Sequence, residues 1–172
     1  MSKVGAAPEP VTITVNLRVV NGALSETVNY SNGAGTAAAR KQNLQAKIIA
    51  EKQARAPKTF VVPHPDHSQD LDHPSWITNP GDTVVWSCSE PFALFVDYDL
   101  APCNPRGNTP HNPFGWTGVQ VGAQLLGVGP YKVTGIAKND GSLNQMFYKF
   151  EAWVAGADPL DPDGLCGYGV GP

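Results

Sequence analysis

Between Val11 and Val19 the chain alternates strictly: Val11, Ile13, Val15, Leu17 and Val19 are apolar, and Thr12, Thr14, Asn16 and Arg18 between them are polar. That is the period-2 pattern of a strand with one buried face. Asn21-Gly22 follows, two residues that tolerate positive φ, and Glu26–Tyr30 offers a returning strand, so a hairpin is expected, with more residues between the two runs than a tight turn needs. Ser31-Asn32-Gly33 ends it. From Thr36 to Ala56 the pattern changes: the segment is rich in Ala, Gln, Lys and Arg and has no Gly or Pro before Pro57. It is expected to be a helix, with Thr36 as N-cap and Leu44, Ile48 and Ile49 forming a narrow apolar stripe.

Beyond it short β-prone runs recur at Thr59–Val62, Ser75–Thr78, Asp82–Ser87, Ala93–Tyr98, Gly118–Val121, Tyr131–Ala137 and Gln145–Val154, separated by Pro, Gly, Asn or Asp. Asn79-Pro80-Gly81-Asp82 is a turn with a mechanism, because Pro presets φ at one central position and Gly permits positive φ at the next. The tail after Asp158, DPLDPDGLCGYGVGP, is expected to lie outside regular structure as an arm. Repeated short strands with such punctuation indicate a sandwich or barrel.

Composition supports this picture. The 172 residues fit one domain, the 18 Gly and 16 Pro favour turns and strands, and only 16% of residues are charged. No apolar run is long enough for a membrane span and no secretory leader is visible at the N-terminus, so the expectation is a cytoplasmic protein, or an exported one if a leader has been removed. Cys88, Cys103 and Cys166 cannot all pair within one chain; they are expected as thiols in a reducing compartment, with a Cys88–Cys103 bridge open to an exported form.

The net charge of −3 hides a segregation. Arg40, Lys41, Lys47, Lys52, Arg55 and Lys58 cluster in and just after the expected helix against Glu51 alone, while the remainder is acidic. A basic face of this kind suits an acidic partner, including a second copy of the chain, or is simply solvated. It has no interleaved aromatic residues for base stacking, and nucleic acid is not expected as a partner.

The segment from Thr59 to Val154 resembles the cupredoxin-like superfamily, the β-sandwich fold of plastocyanin and its relatives. The residues that carry the resemblance are NPGDTVVW at Asn79–Trp86, similar to the family's turn and apolar strand ending in Trp, with VGPYKVTGIA at Val128–Ala137 and QMFYKFEAWV at Gln145–Val154 as the closing strands. The resemblance implies a mainly β, Greek-key β-sandwich over 59–154, with an N-terminal strand pair at 11–30 and one inserted helix at 36–56 as an elaboration, or as an extra strand leading into an insertion, and 155–172 as a C-terminal arm. The family's blue-copper centre needs two His, a Cys and a weak axial ligand such as Met, most of them on the loop before the last strand. Taken as Lys138–Met146, that loop has no Cys or His, so electron transfer is not expected.

Candidate chemistry lies elsewhere. HPDHSQDLDH places His64, His67 and His73 among Asp66, Asp70 and Asp72, and His111 offers a fourth nitrogen, a set suited to a transition metal such as Zn or Cu but in no specific ligand spacing. Cys88, in phase with Trp86, is expected in the core, and Cys103 in a Pro-rich loop. No phosphate-cradling loop, dinucleotide fingerprint or nucleophile elbow is present, so no catalytic residue and no bound organic cofactor are expected. Trp86 and Trp153 should pack inside, whereas Trp116 in NPFGWTG is the candidate for an exposed ring that meets sugar or peptide. The leading expectation is a non-enzymatic, self-associating interaction module, with metal binding through the His-rich loop and carbohydrate or peptide binding as alternatives.

Overall fold

The computed structural model describes residues 9–33, 35, 36, 38–40, 42, 76–98, 112–138, 146–160 and 163–166. Ten strands are present: β1 (Thr12–Val20), β2 (Ala23–Tyr30), β3 (Trp76–Thr78), β4 (Thr83–Cys88), β5 (Phe92–Tyr98), β6 (Gln120–Val121), β7 (Ala123–Leu125), β8 (Val128–Ile136), β9 (Met146–Val154) and β10 (Asp163–Cys166). They form two five-stranded sheets in the orders β2-β1-β4-β8-β7 and β3-β10-β9-β5-β6. The two pack face to face as a β-sandwich, and the protein is mainly β.

The alternation along β1 does what it implies. Ile13, Val15 and Leu17 point inward with Val84, Trp86 and Cys88 of β4 and Val133 of β8, against Phe92, Leu94 and Val96 of β5 and Tyr148, Phe150, Ala152 and Val154 of β9. Thr12, Thr14 and Asn16 stand on the outer face, as the period of two demands. Because Tyr148, Phe150, Ala152 and Val154 take the inner face of β9, Trp153 is half-buried on the outer one and not inside as its apolar character suggests.

Of the two readings of the N-terminal strands, the sheet order fits an extra strand leading into an insertion, since β1 lies between β2 and β4 and runs parallel to β4 from Thr12↔Thr83 to Leu17↔Cys88. A parallel neighbour requires a long connection, and β1 and β4 are far apart in sequence. The hairpin turn is shorter than expected: Val20 pairs with Ala23, and Asn21 and Gly22 have φ of 52° and 83°, the two-residue turn whose twist matches the strands. The tail is not an arm throughout. Asp163–Cys166 forms β10, parallel to β3 and antiparallel to β9, where neighbours on both sides satisfy its backbone whatever its composition.

Helical conformation is seen at residues 35, 36, 38–40 and 42; the rest of the helix expected over 36–56, and the strand expected at Thr59–Val62, lie outside the described residues. Gly35 is already helical, so Thr36 sits inside the first turn and donates its hydroxyl to Asn32 Oδ1.

One end of the sandwich is closed by residues 112–116. Buried Asn112 donates Nδ2 to Val96 O at 2.7 Å and accepts Phe114 N at 2.8 Å through Oδ1, which fixes the turn that lays Phe114 and Trp116 over the core. Trp86 meets both rings, at 5.3 and 5.6 Å between centroids, and Trp76 stacks on Phe150 at 6.3 Å. Gly135 makes this possible: a Cβ there would stand 2.6 Å from Phe114 and 2.7 Å from Trp116. Gly135→Ala therefore has to displace two rings held on a packed core. The expected loss is about 1–3 kcal/mol of stability, read as a lower urea midpoint with an unchanged slope.

Candidate functional site

Asp82, the last residue of the Asn79–Asp82 turn, is 1% exposed and lies where the chain passes from β3 in one sheet to β4 in the other. The turn is as the sequence implies: Gly81 has φ of 91°, and Asp82 N bonds Asn79 O at 3.0 Å. The side chain does more than the turn requires. Its Oδ1 accepts Val11 N at 2.8 Å, and its Oδ2 accepts Asn79 N at 2.8 Å, Thr78 Oγ1 at 3.3 Å and Arg40 Nη1 at 2.6 Å. Arg40 also donates to Ile77 O at 2.6 Å and lies over the ring of Tyr30, whose hydroxyl accepts Ile77 N at 3.0 Å.

Arg40 thus belongs to the interior and not to a solvated basic face; both charges of the pair are buried, and the carboxylate's remaining lone pairs are filled by backbone and hydroxyl donors. Lys41, Lys47, Lys52, Arg55 and Lys58 lie outside the described residues. So do the metal candidates His64, His67, His73 and His111, and Cys103. Among the described residues no group of three or more His, Cys, Asp and Glu is placed to hold a metal ion. Cys88 is a buried free thiol on the inner face of β4, in phase with Trp86 as expected. Trp116 is not the freely exposed ring expected of it, being half-buried against Trp86 and Phe114, 4.8 Å from the latter. An open groove of about 420 Å³ on the outer side of β1, β2 and β4 is lined by Asn16, Arg18, Thr27, Ser87 and Ser89, with Leu17 and Cys88 beneath; Arg18 is its one charged side chain.

The feature that the sequence reading missed is the corner where β6 passes from one sheet into β7 of the other. Val119, Val121, Leu125, Leu126 and Val128 stand out there, with Leu125 at 81% and Leu126 at 92% exposure. From Asn112 to Ala137 the only charged residue is Lys132. Five exposed aliphatic side chains in a stretch of sequence with so little charge are unusual on a monomer. The lack of charge was visible in the sequence. The exposure was not, because Leu125-Leu126 between β-prone runs reads as core.

No protein-family model matches the chain, and comparison with curated proteins finds no similar one. Among the described residues no helix is long and apolar enough to cross a membrane.

Removing Arg40 leaves the Asp82 carboxylate buried without its counter-charge. Arg40→Ala should lower stability by about 3–5 kcal/mol, while an alanine at exposed Arg18 should have little effect in the same urea titration. Burial lifts the Tyr30 phenol above its ordinary value of 10.0; the Ile77 backbone and the Arg40 charge oppose the rise and Asp82 adds to it. The unfolded chain therefore loses this proton first, so the stability it contributes is complete below about pH 10 and is lost as pH rises through the folded value. Thermal melts of the wild type and Tyr30→Phe across that range should converge, the wild type falling more steeply.

Proposed function

We propose that this chain is a cupredoxin-like β-sandwich without a blue-copper centre, acting as a non-enzymatic interaction module that associates with itself. The apolar β6–β7 corner is the observation that carries the reading: five side chains that would each gain free energy by leaving water are held on the surface of a fold with a filled core.

The family reading has separate support. The NPGDTVVW segment is a turn leading into a strand whose Trp86 is fully buried, and the two expected closing segments are β8 and β9. Because β10 follows β9, the loop before the last strand runs over residues 155–162 and not 138–146. Its sequence, AGADPLDP, also lacks Cys and His, so the corrected position still offers none of the blue-copper ligands. The basic stretch is a weaker basis for association than it was in sequence, with Arg40 committed to Asp82. Contact is accordingly assigned to apolar surface and not to opposed charges.

Sedimentation over a hundredfold range of concentration checks this. A mass rising from one chain to two, and persisting at high salt where opposed charges are screened, is the expected result. A single chain throughout would overturn the reading.

A further inference from the structure

The two sheets have four outer edges, and the described residues show how each of them is bordered. An edge strand with unpaired N–H and C=O groups is a template for another strand, and proteins normally block it. In the first sheet the β2 edge is covered where it leaves the turn: Leu24 N bonds Asp158 O at 3.0 Å, and Asp158 N bonds Gly22 O at 2.8 Å. In the second sheet the edge of β3 is sealed by side chains, with Ile77 N bonded to the Tyr30 hydroxyl and Ile77 O to Arg40. Among the described residues the corner of β6 and β7 has no such guard, and neither has β2 beyond Leu24; the corner differs from β2 in its exposed apolar side chains. Among the described residues the β7 backbone pairs with β8 alone, and the apolar residues gather around it.

The turn from β7 into β8 makes the same point. Leu126 and Gly127 have φ of 54° and 72°, almost the geometry of Asn21 and Gly22 in the first hairpin. Asn tolerates that left-handed conformation; Leu does so at a cost, and here it also extends a 92% exposed side chain into water. A local rule is broken twice at one residue, which points to a use outside the folded chain.

Building on the self-association proposed above, we infer that β7 pairs antiparallel with β7 of a second copy about a two-fold axis, joining the two β2-β1-β4-β8-β7 sheets edge to edge. Self-pairing suits this edge in particular. A two-fold places each residue near its own counterpart, so any charge at the centre would face a like charge, and from Ala123 to Leu126 there is none. Lys132, the nearest, lies one strand inward, opposite Ala123. The register shift between Ala123 and Leu125 keeps the new ladder short, so the contact closes as a dimer and does not propagate. At about 100 Å² for each buried aliphatic side chain, the five at the corner supply about 500 Å² per copy. That is below the ~800 Å² per partner of a stable interface, and predicts a reversible, concentration-dependent dimer.

Two variants of the full chain test the geometry. Leu126→Asn restores the residue type that the turn prefers, so it should leave the melting temperature of dilute protein unchanged or raised while weakening dimerisation at least tenfold in sedimentation. Gln124→Cys puts a thiol at the middle of β7, opposite its own copy across the axis, and mild oxidation should give a covalent dimer that the parent, with its own three cysteines, does not form. A parent dimer that Leu126→Asn leaves intact and Gln124→Cys does not cross-link would overturn the edge pairing while leaving self-association standing. A parent that stays monomeric at every concentration would overturn both.

Discussion

The carboxylate of Asp82 is the constraint on which most of this structure depends. It sits at the one place where β3 of one sheet turns into β4 of the other, and it takes donors from every element that meets there. Val11 N fixes the start of β1 beside β4, and the following backbone bond from Thr83 N to Val11 O continues that parallel pairing. The main chain of Asp82 and Gly81 binds Ala137 at the end of β8. A buried ion pair by itself is weak ground for stability, because desolvation offsets most of the attraction. Here it acts as a locator: without Arg40 the carboxylate is an orphaned charge, and without the carboxylate Val11 N and Asn79 N lose their acceptor while Thr78 Oγ1 and Arg40 Nη1 each lose one of two.

The same node reaches the surface. Arg40 bonds Asp82 and Ile77 O together, and Tyr30, under the guanidinium, bonds Ile77 N, so the groups that join the sheets also seal the edge of β3. At the same end, where Lys138 N bonds Pro113 O just beyond Ala137, Asn112, Phe114 and Trp116 close the core over Trp86, and Gly135 provides the room. Among the described residues neither indole N–H of Trp76 or Trp86 has an acceptor, while both rings pack against other aromatic rings. This end of the sandwich is therefore committed to stability.

Much of the fold was legible because β1 and β4 each bury one face, and a period of two records that directly. Strands that carry no such record were lost. β10 contains Gly164 within a Gly- and Pro-rich tail, and its place depends on β3 and β9 offering backbone partners from far away in sequence. Arg40 sat among lysines and was indistinguishable from them until Asp82, 42 positions away, was seen beside it. The turn at Asn79–Asp82 was recognisable from Pro80 and Gly81, whereas the reach of the Asp82 side chain to Val11 was not, since nothing local specifies it. The candidate surface was concealed for a different reason. A leucine pair looks alike in sequence whether it faces a core or water, and only the sheet order puts β7 at an edge.

The contrast between the two hairpins gives that edge a physical measure. Both turns hold a residue other than glycine near φ of 50°, yet one uses Asn21 and the other Leu126. Placing Leu in the left-handed region costs about 1–2 kcal/mol, and leaving it in water forgoes a further ~1.5–3 kcal/mol that burial would return. A marginally stable domain does not retain such a loss without recovery elsewhere. In the edge-paired dimer proposed above, association would recover the second part and leave the first, which is a property of the turn in either state. Leu126 would then weaken the isolated chain and strengthen the pair, with a balance set by protein concentration.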